Sequence, residues 1–160
     1  MNTALEANAQ QIAHWNGCAG RGWVEAQESL DRMFEPFEEL LVEAVAARGA
    51  QRVLDIGCGT GGTTLAVARL LAGKGTAVGI DISEPMIALA RARAERESDP
   101  PRFVRADAQT NAFEPASFDM IVSRFGTMFF DDPVRAFENL RRAAASGGEL
   151  KTIVWRSPAE

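Results

Sequence analysis

Val53-Leu54-Asp55-Ile56-Gly57-Cys58-Gly59-Thr60-Gly61-Gly62 carries a short apolar strand into four glycines spread over six positions. Glycine has no Cβ and tolerates positive φ, so such a loop can turn sharply and bring its backbone close to a ligand. The following residues, 63–72, hold Leu65, Ala68, Leu71 and Ala72 on roughly one face and contain no Gly or Pro, which predicts a helix. The amino end of that helix then points at the loop, and a bound nucleoside is the expected guest.

The glycines alone leave two readings open, because Gly57, Gly59 and Gly62 also satisfy the G-x-G-x-x-G pattern of dinucleotide-binding folds. Asp55 separates them. It sits in the strand two residues before the first glycine, where a doubly covered parallel strand normally carries Val or Ile. A carboxylate buried there is costly unless paired. A pyrophosphate at the helix terminus would add like charge, whereas a sulfonium or ammonium group would relieve it. The pattern therefore points to S-adenosylmethionine over a nicotinamide cofactor.

With these residues in hand, 55–61 resembles the first motif of the class I S-adenosylmethionine-dependent methyltransferases. Val78-Gly79-Ile80-Asp81-Ile82-Ser83 resembles that family's second strand, Arg105-Ala106-Asp107-Ala108 its adenine-facing segment, Phe118 to Ser123 its fourth strand, and Gly147-Gly148-Glu149-Leu150 the entry to its fifth. The resemblance implies an α/β fold: a doubly wound, mostly parallel Rossmann-like sheet with helices on both faces. It implies that Gly57, Cys58 and Gly59 line the cofactor, with Cys58 a small residue between glycines. Asp55 would meet the amino-acid end, directly or through water, and Asp81 would accept the ribose hydroxyls. Asp107 and the Ala108 amide would hold the adenine, Ile82 and Met86 would sandwich it, and Ser123 with Arg124 would lie near methionine and acceptor. The product would be S-adenosylhomocysteine. The family ends its sheet with an antiparallel hairpin that has no counterpart after Trp155, so the resemblance implies a chain cut after the fifth strand. Such a chain is expected to bind cofactor yet turn acceptor over poorly, and a binding-only domain stands as the non-enzymatic alternative.

Strand signals at 52–57, 76–82, 102–106, 120–125 and 150–155 alternate with helix signals at 63–72, 83–97 and 132–146. Upstream, a loose helix over 2–13, a loop over 14–20 and helices over 24–34 and 36–48 are expected, with Pro36 in a first turn. This divides the chain into an N-terminal helical segment and lid, 1–50, and a cofactor-binding unit, 51–160, within one structural domain.

With 160 residues, 46% apolar and 24% charged, the chain has an ordinary globular composition. Its formal net charge of −5 argues against nucleic acid and acidic membranes as partners and favours a small-molecule acceptor. Cys18 and Cys58 have no metal spacing, so no metal is expected, and the absence of a leader-like start makes the cytoplasm the default. The candidate imidazole base is His14, the only histidine. Trp15 and Trp23 read either as a lid or as anchors of the N-terminal segment, and Phe125, Met128, Phe129 and Phe130 either as acceptor lining or as core. The fifth strand would be an open sheet edge, which predicts self-association.

Overall fold

The structure, a computed structural model, describes residues 8–157. The expected helix over 2–13 therefore lies partly outside the described residues, as do positions 158–160. The elements are α1 (Ala9–Asn16), α2 (Cys18–Glu25), α3 (Gln27–Arg48), β1 (Arg52–Ile56), α4 (Gly62–Leu71), β2 (Thr76–Asp81), α5 (Glu84–Ala94), β3 (Arg102–Arg105), β4 (Phe118–Arg124), a 3-10 turn (Gly126–Phe129), α6 (Pro133–Ala143) and β5 (Ala144–Ile153). The five strands form one sheet in the order β3-β2-β1-β4-β5, and every pair is parallel.

Side chains on a strand alternate between faces, and β1 shows what each face meets. Val53 joins Met120 and Val122 against Leu41 and Val45 of α3 and Val67, Ala68 and Leu71 of α4. Leu54 and Ile56 point the other way and join Ile80, Ile121, Ala108 and Leu140 of α6. A third cluster, Leu65, Ile87, Ala90, Ala94 and Phe103, seats α5 beside α4. The sheet is thus covered on both faces, as a doubly wound parallel sheet requires.

The structure corrects the N-terminal expectations. The predicted loop over 14–20 is mostly helical, because α1 and α2 are broken only at Gly17. Gly20 marks a contact and not a turn: a Cβ there would stand 1.9 Å from the Trp15 carbonyl oxygen and 2.9 Å from Ser83 Oγ. The two helices expected over 24–34 and 36–48 are one, α3, with Pro36 inside it. Proline removes an intrahelical bond, yet here its turn faces solvent, and Phe34, Leu41 and Val45 bind the helix to the core on either side of it.

Other boundaries shift by a few residues. α5 ends at Ala94, short of the expected 97. Ser83 holds the N-cap position of α5 without a side-chain cap, since its hydroxyl donates to the Trp15 carbonyl at 2.7 Å; Asn16 Oδ1 accepts from the Glu84 amide at 2.8 Å instead. α6 stops at Ala143, where the Ala116 and Ser117 amides donate to the last carbonyls at Arg142 and Ala143. Between Ala144 and Glu149 the strand bulges away from β4, with Gly147 at φ 72°, and regular pairing runs from Glu149 to Ile153. Among the described residues β5 is a sheet edge, with Leu150, Val154 and Trp155 exposed. No helix among them is long and apolar enough to cross a membrane.

Candidate functional site

A cavity opens beyond the carboxyl ends of β1, β2 and β4, the place where parallel sheets of this kind receive ligands. Its space, counting the mouth open to solvent, is about 1120 Å³. The glycine loop forms one wall because its backbone can take shapes closed to other residues. Gly57 sits at φ 65°, and a Cβ on it would lie 2.6 Å from Gly126 Cα, so the loops after β1 and β4 touch backbone to backbone.

Asp55 lies in this wall, 2% exposed, and accepts one side-chain hydrogen bond, from Thr64 Oγ1 at 2.6 Å. Burial pushes its carboxyl up to about 7, which the Thr64 bond and the Arg124 charge only partly offset. Asp81, at the end of β2, accepts from the Gly59 amide at 2.9 Å on Oδ2 and from the Ser83 amide at 2.9 Å on Oδ1. Its carboxyl is raised by burial, against those backbone bonds. Asp107 accepts from the Gln109 amide on Oδ1 and from Asn8 Nδ2 on Oδ2. Gly57, Cys58, Gly59, Ile82, Met86 and Ala108 line the same cavity. Burial pushes the Cys58 thiol well up, so it is a neutral, small wall residue.

Two expected site residues are not brought to the cavity. Ser123 is fully buried and is not among the lining residues: its hydroxyl donates to the Ile56 carbonyl at 2.8 Å and accepts from the Gly126 and Thr127 amides, stapling β4 to β1. His14 is exposed on α1, edge-on to Trp15 at 5.0 Å and off the cavity wall. Trp15 and Trp23 do line it, as do Phe125, Phe129 and Phe130, whereas Met128 does not.

Several lining residues escaped the sequence reading. Leu30, Asp31 and Phe34 come from α3, where their i, i+1, i+4 spacing marks one face, but nothing in the sequence aims that face at the loop. Trp155 lies just past β5. Thr63 is 2% exposed and its hydroxyl has no hydrogen-bond partner among the described residues. Asn8 Oδ1 is likewise buried and has no partner among the described residues.

These features are what a nucleoside carrying a cationic group would complete. The position of a Cβ on Gly59 would meet only Met86 Sδ, at 3.6 Å, so the loop faces open space. Among the described residues Asp55 has no counter-charge in hydrogen-bonding contact, and the Thr63 hydroxyl belongs to the lining of the same cavity. Among the described residues, Asp31, Asp55, Asp81 and Asp107 line the cavity against one cationic side chain, Arg124.

A family model described as a methyltransferase domain matches residues 53–148, more than half of the chain. The demethylmenaquinone methyltransferase of Thermus thermophilus is 33% identical over 73% of this chain and 53% of its own. A solved structure of phosphoethanolamine N-methyltransferase 2 from Haemonchus contortus, in complex with phosphomonomethylethanolamine and S-adenosylhomocysteine, is 30% identical with TM-score 0.57, over 68% of this chain and 27% of that one. A putative S-adenosyl-L-methionine-dependent methyltransferase from Methanococcus maripaludis aligns with TM-score 0.72 over 84% of this chain and 61% of that one; at 24% identity it speaks for the fold. The chain spans about half the length of the curated relatives it matches.

Proposed function

This chain belongs to the methyltransferase-domain family, and from that premise we propose that it binds S-adenosylmethionine and passes its methyl group to a small-molecule acceptor. The observation that carries the reading is Asp55, a buried carboxyl facing an acidic cavity, because a cationic cofactor supplies the charge it lacks. Held by Asp55, the glycine loop, Asp81 and Asp107, S-adenosylmethionine would supply a methyl group open to in-line attack by a lone pair of the acceptor, the carbon–sulfur bond electrons staying on sulfur to give S-adenosylhomocysteine and the acceptor's displaced proton going to solvent. No protein nucleophile is required, so the chain's own work is positioning.

The residues divide that work. Asp81 accepts from the ribose hydroxyls, for each of its oxygens keeps a lone pair beyond the amide it already accepts. Asp107 takes the exocyclic amine of adenine in place of the Asn8 amide, and the Ala108 amide donates to the ring. Ile82 and Met86 cover the ring faces. Asp55 and Thr63 attend the methionine end, and Gly57, Cys58 and Gly59 form the floor. Residues 1–50 act as the helical segment and lid, with Trp15 and Trp23 over the cavity, and 51–160 as the cofactor-binding unit. The two free cysteines suit the reducing cytoplasm, which is the proposed location.

Calorimetry decides between cofactors: S-adenosylmethionine and S-adenosylhomocysteine are expected to bind and NAD is not. Tight NAD binding with no heat from either adenosyl ligand would overturn the reading. The partner proposal follows from β5, which is a sheet edge among the described residues and whose exposed Leu150 and Val154 favour pairing with a second copy. Sedimentation is expected to show dimer growing with concentration, and a monomer at all concentrations would refute it.

A further inference from the structure

The cavity has two unlike halves. One is the acidic half made by the glycine loop, Asp55, Asp81 and Asp107, which the proposed cofactor takes. The other is walled by Trp23, Phe34, Phe125, Phe129 and Trp155, brought together from α2, α3, the 3-10 turn and the segments that follow β4 and β5. Four of these rings brace one another, and Phe129 packs edge-on against Trp15 at 5.1 Å. Phe125 and Trp155 stack at 4.6 Å with planes 9° apart, Trp23 lies nearly parallel to Phe34 at 6.0 Å, and Phe34 meets Phe125 edge-on at 5.2 Å. Rings held this way lose little freedom when a flat ligand settles on them. Trp155 is 55% exposed and Phe129 39%, so ring surface remains to be covered.

Charge narrows the ligand further. Arg124, the one cation among the described residues lining the cavity, lies 5.5 Å over the Phe34 ring and 3.9 Å from Glu38, so its charge already has a ring face and a carboxylate. An anionic acceptor would meet no other positive side chain there, and four aspartates line the same cavity. A cationic acceptor would stand beside the sulfonium, like charge against like charge in a poorly solvated site. Asp31 cannot relieve it cheaply, since Gln27 Nε2 and Arg93 Nη2 already donate to its Oδ2 at 2.5 and 2.7 Å.

We infer that the aromatic half of the cavity takes a flat, uncharged, ring-bearing methyl acceptor. The inference rests on the methyltransferase reading only in calling this ligand the acceptor; its binding to the aromatic wall does not depend on it. In the transfer the bond formed joins a ring-borne nucleophilic atom to the methyl carbon, the bond broken is carbon–sulfur, and the ring's displaced proton leaves to solvent.

Three probes test it by calorimetry, each with and without saturating S-adenosylhomocysteine: 2-naphthol, neutral; 2-naphthoate, anionic; and choline, cationic. Naphthol is expected to bind at least about tenfold more tightly than either charged probe. Trp155→Ala is expected to weaken naphthol by about tenfold, leave S-adenosylhomocysteine within about twofold, and recover most of the loss as Trp155→Phe. Phe129→Ala, on the exposed turn, gives the same answer if the Trp155 variant fails to fold. Choline or naphthoate binding as tightly as naphthol overturns the inference, and so does naphthol affinity unchanged in both variants. Naphthol binding to a protein that takes no S-adenosylhomocysteine leaves the aromatic subsite standing and removes the proposed function; the reverse result removes the inference alone.

Discussion

Asp81→Ala is expected to weaken S-adenosylmethionine binding by roughly 100-fold or more, since two hydrogen bonds to a charged acceptor contribute about 1.5–3 kcal/mol each. The side chain does two jobs at once. Its Oδ2 holds the Gly59 amide and its Oδ1 the Ser83 amide, so removing it frees the glycine loop as well as the ribose contacts. Asp81→Asn is not expected to rescue binding, because its amide nitrogen would face one of those two N–H donors. Calorimetry on both variants, with thermal unfolding to separate folding from binding, checks this. An unchanged dissociation constant would move the ribose site elsewhere.

The second large effect belongs to Asp55 and depends on pH. Burial lifts its carboxyl from 3.8 to about 7, so the folded chain keeps a proton that the unfolded chain has released. Stability from this group is full below about pH 4 and is lost as pH rises through 7, a change on the order of 4 kcal/mol. Asp55→Asn should flatten that slope and leave the ligand-free protein more stable than the parent at about pH 8. Affinity for S-adenosylmethionine runs the opposite way, because the sulfonium favours the ionised carboxylate: it should rise about tenfold between pH 6 and pH 8 and lose that dependence in the Asn variant. Calorimetric titration and thermal unfolding across this range test both halves. A flat affinity profile in the parent would place the cationic group away from Asp55.

β1, β2 and β4 were legible because each carries an apolar run bounded by Gly, Pro or polar residues, whereas β5 was legible only in the half that pairs regularly with β4. Asp55 and Asp81 were legible for a related reason, being carboxylates at strand ends where nothing apolar explains them. The N-terminal third was not. Glycines at Gly17 and Gly20 read as loop, yet Gly20 is small because α2 packs on Trp15 and Ser83. Pro36 read as a helix start, yet tertiary contacts at Phe34 and Leu41 hold one helix through it. Ser123 looked like a ligand contact, and only the positions of Ile56, Gly126 and Thr127 reveal it as a staple. The aromatic wall was half visible: the run after Arg124 could be seen, but its partners Phe34 and Trp155 lie far away in sequence and meet it only in the fold.

The hand-over of the α5 cap from Ser83 to Asn16 has a kinetic consequence. Asn16 accepts from the Glu84 amide and donates to the Ile82 carbonyl, while Ser83 donates to the Trp15 carbonyl. α1 therefore cannot swing away from the cavity without uncapping a helix that carries part of the site, at a cost of roughly 3 kcal/mol for three bonds. Departure of α1 and loss of the α5 cap are one event, and at that cost the open form is about one molecule in a hundred. The amide proton of Glu84 is expected to trade with solvent only in that open form, so its exchange rate reports how often α1 and the α5 cap part.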